Sequence, residues 1–165
     1  MNLDPGCLVL DLSSLRTGTC TGSFDIDLRE IDWSVEDLEP EGGTGTLDLE
    51  ISHTERSVIV RGRLRAAFRT SCARCLEPAV FPITEEVFAV FTSDDSLDSD
   101  TPSPRIPEGG REIPLLDAVR EAVILSVPGK PLCRDDCRGL CQVCGANLNV
   151  AGCAHSEGAP DGYGR

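Results

Sequence analysis

From residue 46 onward, apolar and polar side chains alternate with a period of two. Leu47, Leu49 and Ile51 fall on one parity, with Asp48 and Glu50 on the other. This is the pattern of a strand with one buried face. The alternation resumes at residue 58. Val58, Val60, Leu64, Ala66 and Phe68 share one parity, and Arg61, Arg63, Arg65 and Arg69 share the other. The pattern predicts a long strand with its apolar face on a core and its arginine face outward. After Cys75, a further set of Phe81, Ile83, Val87, Ala89 and Phe91 shares a parity, interrupted by Glu85. Repeated one-sided burial predicts an antiparallel meander.

The flanking text is less regular. "CLVLDL" (7–12) and "FDIDL" (24–28) read as short strands separated by Ser, Thr and Gly. Residues 34–45 are acidic and end in "EGGTG", which predicts a surface loop. Residues 92–111 are rich in Asp, Ser, Pro and Gly and predict a flexible excursion. The period then changes. Leu116, Val119, Val123 and Val127 recur at helical spacing, Pro114 suits a first helical turn, and Pro128 with Gly129 supplies a stop. The expected class is therefore α+β: a mainly antiparallel β domain over 1–91, the excursion, a helix and cysteine cluster over 112–153 packing back on the sheet, and a disordered tail over 154–165.

Charge narrows the function. The chain has 165 residues and a formal net charge of −13. That balance disfavours a simple polyanion binder and favours a basic partner. The charge is uneven, because Arg56, Arg61, Arg63, Arg65, Arg69 and Arg74 lie in a stretch with no acidic residue between Glu55 and Glu77. Arg61, Arg63, Arg65 and Arg69 are candidate RNA or phosphate contacts, since guanidinium pairs well with phosphate; the alternative is a solvated sheet face. Phe68, Phe81 and Phe91 all fall on apolar parity, which leaves no evident ladder for base stacking. "MNLDPGCLVLDLSSL" does not read as a secretion signal, and the longest apolar stretches carry charges within them. The expectation is a cytoplasmic protein with no membrane association.

Nine cysteines remain to be explained. In a reducing compartment paired cysteines point to metal rather than to structural disulfides. Cys72 and Cys75 form C-x2-C after a strand, a spacing that presents two sulfurs to one ion, and zinc takes four such ligands. Cys133 with Cys137, and Cys141 with Cys144, follow in "LCRDDCRGLCQVCG"; Cys153 and His155 add a C-x-H pair. The preferred reading is one zinc on Cys72, Cys75, Cys133 and Cys137, with a second site on Cys141, Cys144, Cys153 and His155. Its rival is a zinc ribbon in which Cys141 and Cys144 complete the Cys72–Cys75 pair. A redox dithiol weighs less, because a proline and strand-like text follow Cys75 where a redox motif would open a helix, and an iron–sulfur centre weighs less because the sequence offers no partner redox site. Cys7 and Cys20 stay unassigned.

An enzyme is not expected. Four protein ligands leave no open metal position for water, and only two histidines serve as conventional general bases. His53 is read as an exposed histidine on the polar side of its strand. "DDSLDSD" lacks the glycine and glutamate of a calcium loop, and "EGGTGT" lacks the lysine of a phosphate loop. No small-molecule substrate is implied.

"SCARCLEP", the segment ending "ILSVPGKPLCRDDCRGLCQVCGANLN" and the long acidic excursion resemble the bacterial YceD family, also called the domain of unknown function 177 family. The resemblance covers about residues 46–153. It implies a role in accumulation or processing of large-subunit ribosomal RNA, in association with ribosome assembly and its small ribosomal proteins. It places the family's cysteine pairs on Cys72 with Cys75 and on Cys133 with Cys137, favouring the first ligand set over the ribbon. Joined to the acidic charge and the closed ligand sets, the resemblance leads to the expectation of a noncatalytic assembly factor holding a basic large-subunit ribosomal protein or precursor particle; the alternative is direct ribosomal RNA binding through the arginine face.

Overall fold

The structure, a computed structural model, describes residues 2–13, 17–92, 112–150 and 152–155. The expectations for residues 93–111 and 156–165 lie outside these.

The alternating segments form one antiparallel sheet. Strands β3 (Gly18–Asp27), β5 (Thr44–His53), β6 (Ser57–Ser71) and β7 (Pro78–Thr92) lie side by side in that order. Leu47 faces Leu64 and Ile51 faces Val60 across β5 and β6, and Val60 faces Ala89 across β6 and β7. β6 and β7 are paired over fifteen residues each, from Ser57↔Thr92 to Ser71↔Pro78, so this hairpin runs the length of the sheet.

Two parts of the sequence reading require correction. Residues 34–45 are not wholly a surface loop. They contain β4 (Glu39–Pro40), which pairs with Arg69 and Phe68 of β6. The chain leading into it buries Ile31, Trp33 and Leu38, and Trp33 stands edge-on to Phe68 with ring centroids 5.1 Å apart. Pro114 does not open the helix. It ends β8 (Glu112–Pro114), which pairs with β2 (Val9–Asp11); β2 in turn pairs with β1 (Asn2–Asp4). Helix α1 (Leu116–Ser126) starts two residues later, after the Leu115 N-cap, and ends at Val127 before Pro128.

The core follows from one-sided burial. The apolar face of the large sheet is covered by α1, which contributes Val119, Ala122 and Val123, and by the small sheet, which contributes Leu10 and Ile113. α1 packs on β7. A second, separate buried cluster comprises Cys72, Cys75, Ala79 and Cys137. The cysteine end of the molecule thus has little apolar material of its own.

Candidate metal centres

The β6–β7 hairpin ends in a knuckle. The Cys72 N–H donates to the Glu77 carbonyl over 2.8 Å, and the Leu76 N–H donates to the Cys72 carbonyl over 3.0 Å. Leu76 takes a left-handed backbone with φ of 63°, which closes the turn and turns both sulfurs inward.

Residues 131–141 supply the facing half. Ala73 donates to the Pro131 carbonyl and Leu140 donates to the Arg74 carbonyl, so this stretch is stitched to the knuckle by its backbone. The Arg74 guanidinium donates to the Cys137 carbonyl over 2.8 Å. Gly139 has φ of +75°, and a Cβ there would lie 3.0 Å from the Arg74 carbonyl oxygen. Only glycine meets both demands.

These contacts bring Cys72, Cys75, Cys133 and Cys137 together, all four sulfurs within 4.8 Å of one another. Cys72 Sγ is 3.7 Å from Cys137 Sγ, and Cys75 Sγ is 3.6 Å from Cys133 Sγ. A tetrahedral ion with metal–sulfur bonds of about 2.3 Å would set its ligands about 3.8 Å apart. The donor set and its spacing therefore fit a closed tetrathiolate metal site. Cys141 and Cys144 do not join this group. They gather with Cys153 and His155, again with all ligand atoms within 4.8 Å. Both groups can hold a metal ion. They differ in exposure: Cys72, Cys75 and Cys137 are buried, whereas Cys144 and His155 are exposed.

The thiols are poised unequally. Burial pushes the Cys72 thiol up, but the backbone N–H groups of Arg74, Cys133 and Cys75 outweigh it and bring it down to about 6. Cys133 is pushed up to about 12, by burial and then by the neighbouring Cys75 and Cys137 thiols. In the second group the N–H groups of Cys144 and Val143 bring Cys141 down to about 6. Crowded sulfurs cannot all ionise together without a cation; a bound cation reverses that penalty.

Sequence reasoning missed Asn147 and Asn149. Asn149 Nδ2 donates to Cys137 Sγ over 3.4 Å and to Asn147 Oδ1 over 2.9 Å, while Asn149 Oδ1 accepts from the Arg138 N–H over 2.7 Å. Asn147 Nδ2 donates to Glu77 Oε1 over 3.3 Å. The readable signal was "GANLN", two short amides within a cysteine-bracketed loop, where such side chains bond locally to backbone and ligands.

Elsewhere the candidates separate. Arg61, Arg63, Arg65 and Arg69 are all exposed on the outer sheet face. Arg65 pairs with Asp48 at 2.7 Å, the Arg69 guanidinium binds Glu39, and Arg63 stands 4.0 Å from Glu86. The Arg61 guanidinium lies 5.8 Å from the ring centroid of Phe88. Phe88 is 59% exposed beside this stripe, an outward aromatic that the reading of the other phenylalanines overlooked. His53 is not exposed as expected. It shares the parity of Leu49 and Ile51, is half-buried opposite Val58, and its Nδ1 is buried without a hydrogen-bond partner. Cys7 is exposed and Cys20 half-buried, and neither belongs to a cysteine group. Among the described residues no helix is long and apolar enough to cross a membrane.

Fold and site define a class: an antiparallel β protein whose hairpin tip and C-terminal knuckles gather two metal-compatible ligand groups. More narrowly, the chain belongs to the YceD family: residues 60–163 match the family described as "Large ribosomal RNA subunit accumulation protein YceD". An uncharacterized protein of Mycobacterium tuberculosis is 34% identical over 112 residues, covering 66% of this chain and 53% of that protein. One from Mycobacterium leprae is 29% identical over 156 residues, covering 88% and 63%. The maize (Zea mays) protein named "Large ribosomal RNA subunit accumulation protein YCED homolog 1, chloroplastic" is 29% identical over 148 residues, covering 64% and 50%. The chain thus spans about half the length of most of these relatives. No solved structure matches it.

Proposed function

We propose that this protein is a noncatalytic, cytoplasmic ribosome-assembly factor that supports accumulation or processing of 23S ribosomal RNA, the large-subunit species, and that it carries zinc in its cysteine centres. The observation that carries the reading is the family match over residues 60–163, which spans both cysteine groups. The donor sets support zinc: four thiolates in one group and three with an imidazole in the other are sets this ion takes in structural sites. A closed four-ligand site also leaves no position for activated water, which supports a binding role over a catalytic one.

The partner we infer is a basic large-subunit ribosomal protein or a precursor particle containing one. A net charge of −13 attracts such a protein and speeds encounter at low salt. The arginine face supports direct RNA binding less well, because Asp48, Glu39 and Glu86 stand against three of its four guanidinium groups.

The test is complementation in cells lacking the gene. Large-subunit ribosomal RNA should fall relative to the small-subunit species and recover with the intact gene, but not with Cys72→Ser/Cys75→Ser. Unchanged ribosomal RNA on deletion would overturn the assembly role. Recovered protein that binds RNA, and loses it with Arg61→Ala/Arg63→Ala, would replace the protein-partner reading with the RNA reading.

A further inference from the structure

The two cysteine groups share a short piece of chain. Cys137 belongs to the first group and Cys141 to the second, with Gly139 between them held against Arg74. Residues 145–150, which follow Cys144 of the second group, fold back along this piece. The Leu148 N–H donates to the Gly139 carbonyl over 2.9 Å, the Cys141 N–H donates to the Ala146 carbonyl over 2.8 Å, and Leu140 bridges to Asn147. From this returning segment Asn149 places its amide on Cys137 Sγ.

We infer that Asn149 is a positioning residue that couples the two metal centres: closing the second centre on Cys141, Cys144, Cys153 and His155 fixes the segment that holds the Asn149 amide against Cys137, and so tightens metal at the first. The inference rests on the zinc reading above and deepens it.

The physical steps are ordinary ones. A metal-bound thiolate keeps lone pairs and negative charge, and an N–H donor at that sulfur stabilises the ligand and fixes its direction. Such outer contacts are typically worth about 10- to 100-fold in metal affinity. The donor must itself be held. Asn149 is oriented through Arg138 N–H and Asn147, and Asn147 reaches Glu77 beside the Cys72–Cys75 knuckle. With metal at the second centre, the segment is a closed loop anchored at Cys144 and Cys153. Without it, ordering that loop must be paid for when the amide reaches Cys137, and the first centre weakens. Coupling of this kind is reciprocal, so loss of the first metal weakens the second as well.

The experiment titrates cobalt(II), then zinc in competition, into the full chain purified under reducing conditions. A four-thiolate centre and a three-thiolate, one-imidazole centre absorb differently, so the two occupancies are read separately. Asn149→Ala should lower first-centre affinity about 10-fold or more. Asn149→Asp keeps an acceptor for the Arg138 N–H but loses the donor to sulfur. It should fall at least as far, whereas a merely structural side chain would be largely rescued. Cys141→Ser/Cys144→Ser, which removes the second centre, should lower first-centre affinity by a similar factor. Combining it with Asn149→Ala should cost little more than either alone, the signature of one shared interaction. Two metals that bind with independent affinities in all variants would overturn the coupling and leave the zinc reading intact. Failure of the unaltered chain to bind any metal would instead overturn the zinc reading itself.

Discussion

The sulfurs of Cys72 and Cys137 lie 3.7 Å apart although 65 residues separate them along the chain. Their approach joins the tip of the β6–β7 hairpin to chain that follows the helix. The buried cluster around them is distinct from the main core. Stability of the two regions should therefore be separable.

Metal removal should melt the cysteine end first. A chelator should produce a low-temperature transition that re-added zinc reverses, while the sheet unfolds later. At free zinc about 1,000-fold above its dissociation constant the bound form gains about 4 kcal/mol. Thermal melts with and without chelator, followed by far-ultraviolet circular dichroism, measure this. A single unshifted transition would contradict it.

Phe68 is fully buried and meets Trp33 edge to face. Phe68→Ala should cost about 3–5 kcal/mol in urea unfolding, from lost transfer energy plus the cavity left behind. Zinc stoichiometry of the folded variant should stay unchanged, since Phe68 belongs to the main core and not to the cysteine cluster.

Gly139 and Gly145 both take left-handed backbones, with φ of +75° and +72°. They differ in surroundings: a Cβ at Gly145 meets nothing within 4 Å, whereas one at Gly139 meets the Arg74 carbonyl oxygen at 3.0 Å. Gly145→Ala should cost about 1–2 kcal/mol, the backbone penalty alone. Gly139→Ala should cost more and weaken metal binding, because the Arg74 segment carrying the first knuckle must shift. Equal effects on zinc affinity would refute the contrast.

The Arg29 guanidinium, with help from the Arg29 N–H, holds the Asp27 carboxyl down at about 2 from an ordinary 3.8. A carboxylate depressed in the folded state contributes stability above its unfolded value and loses it as pH falls through the folded one. The contribution of this pair should accordingly disappear between about pH 4 and pH 2. Carboxyl NMR titration should place Asp27 near the lower value, and Arg29→Ala should return it toward 3.8.

The large sheet was legible because its strands are long and buried on one side. Leu47 to Ile51, Val58 to Phe68 and Phe81 to Phe91 carry the register in their parity. β2 falls inside "CLVLDL", which reads as a strand, but the three-residue β1 and β8 are too short to display a period, and each is defined by its pairing with β2. That is why Pro114 read as the start of a helix. β4 was hidden in acidic text because it is defined by pairing with β6 and by Trp33 packing on Phe68, contacts that no local pattern announces. For the cysteines, spacing supplied the pairs. Which pairs meet depends on the backbone bonds from Ala73 to Pro131 and from Leu140 to Arg74, distant partners with no periodic trace.

The long hairpin has a consequence in time. Cys72 and Cys75 sit at the turn between two strands that are adjacent in sequence, so local pairing can assemble their knuckle as soon as β7 has left the ribosome. Cys133, whose sulfur meets Cys75, follows 58 residues later. Counted from the end of β7 at Thr92, 41 residues before Cys133, the wait at about 5–20 residues per second is roughly 2–8 s. During synthesis the nascent chain thus displays a two-sulfur claw before the rest of its grip exists, and metal captured then would wait for the chain behind it to complete the shell.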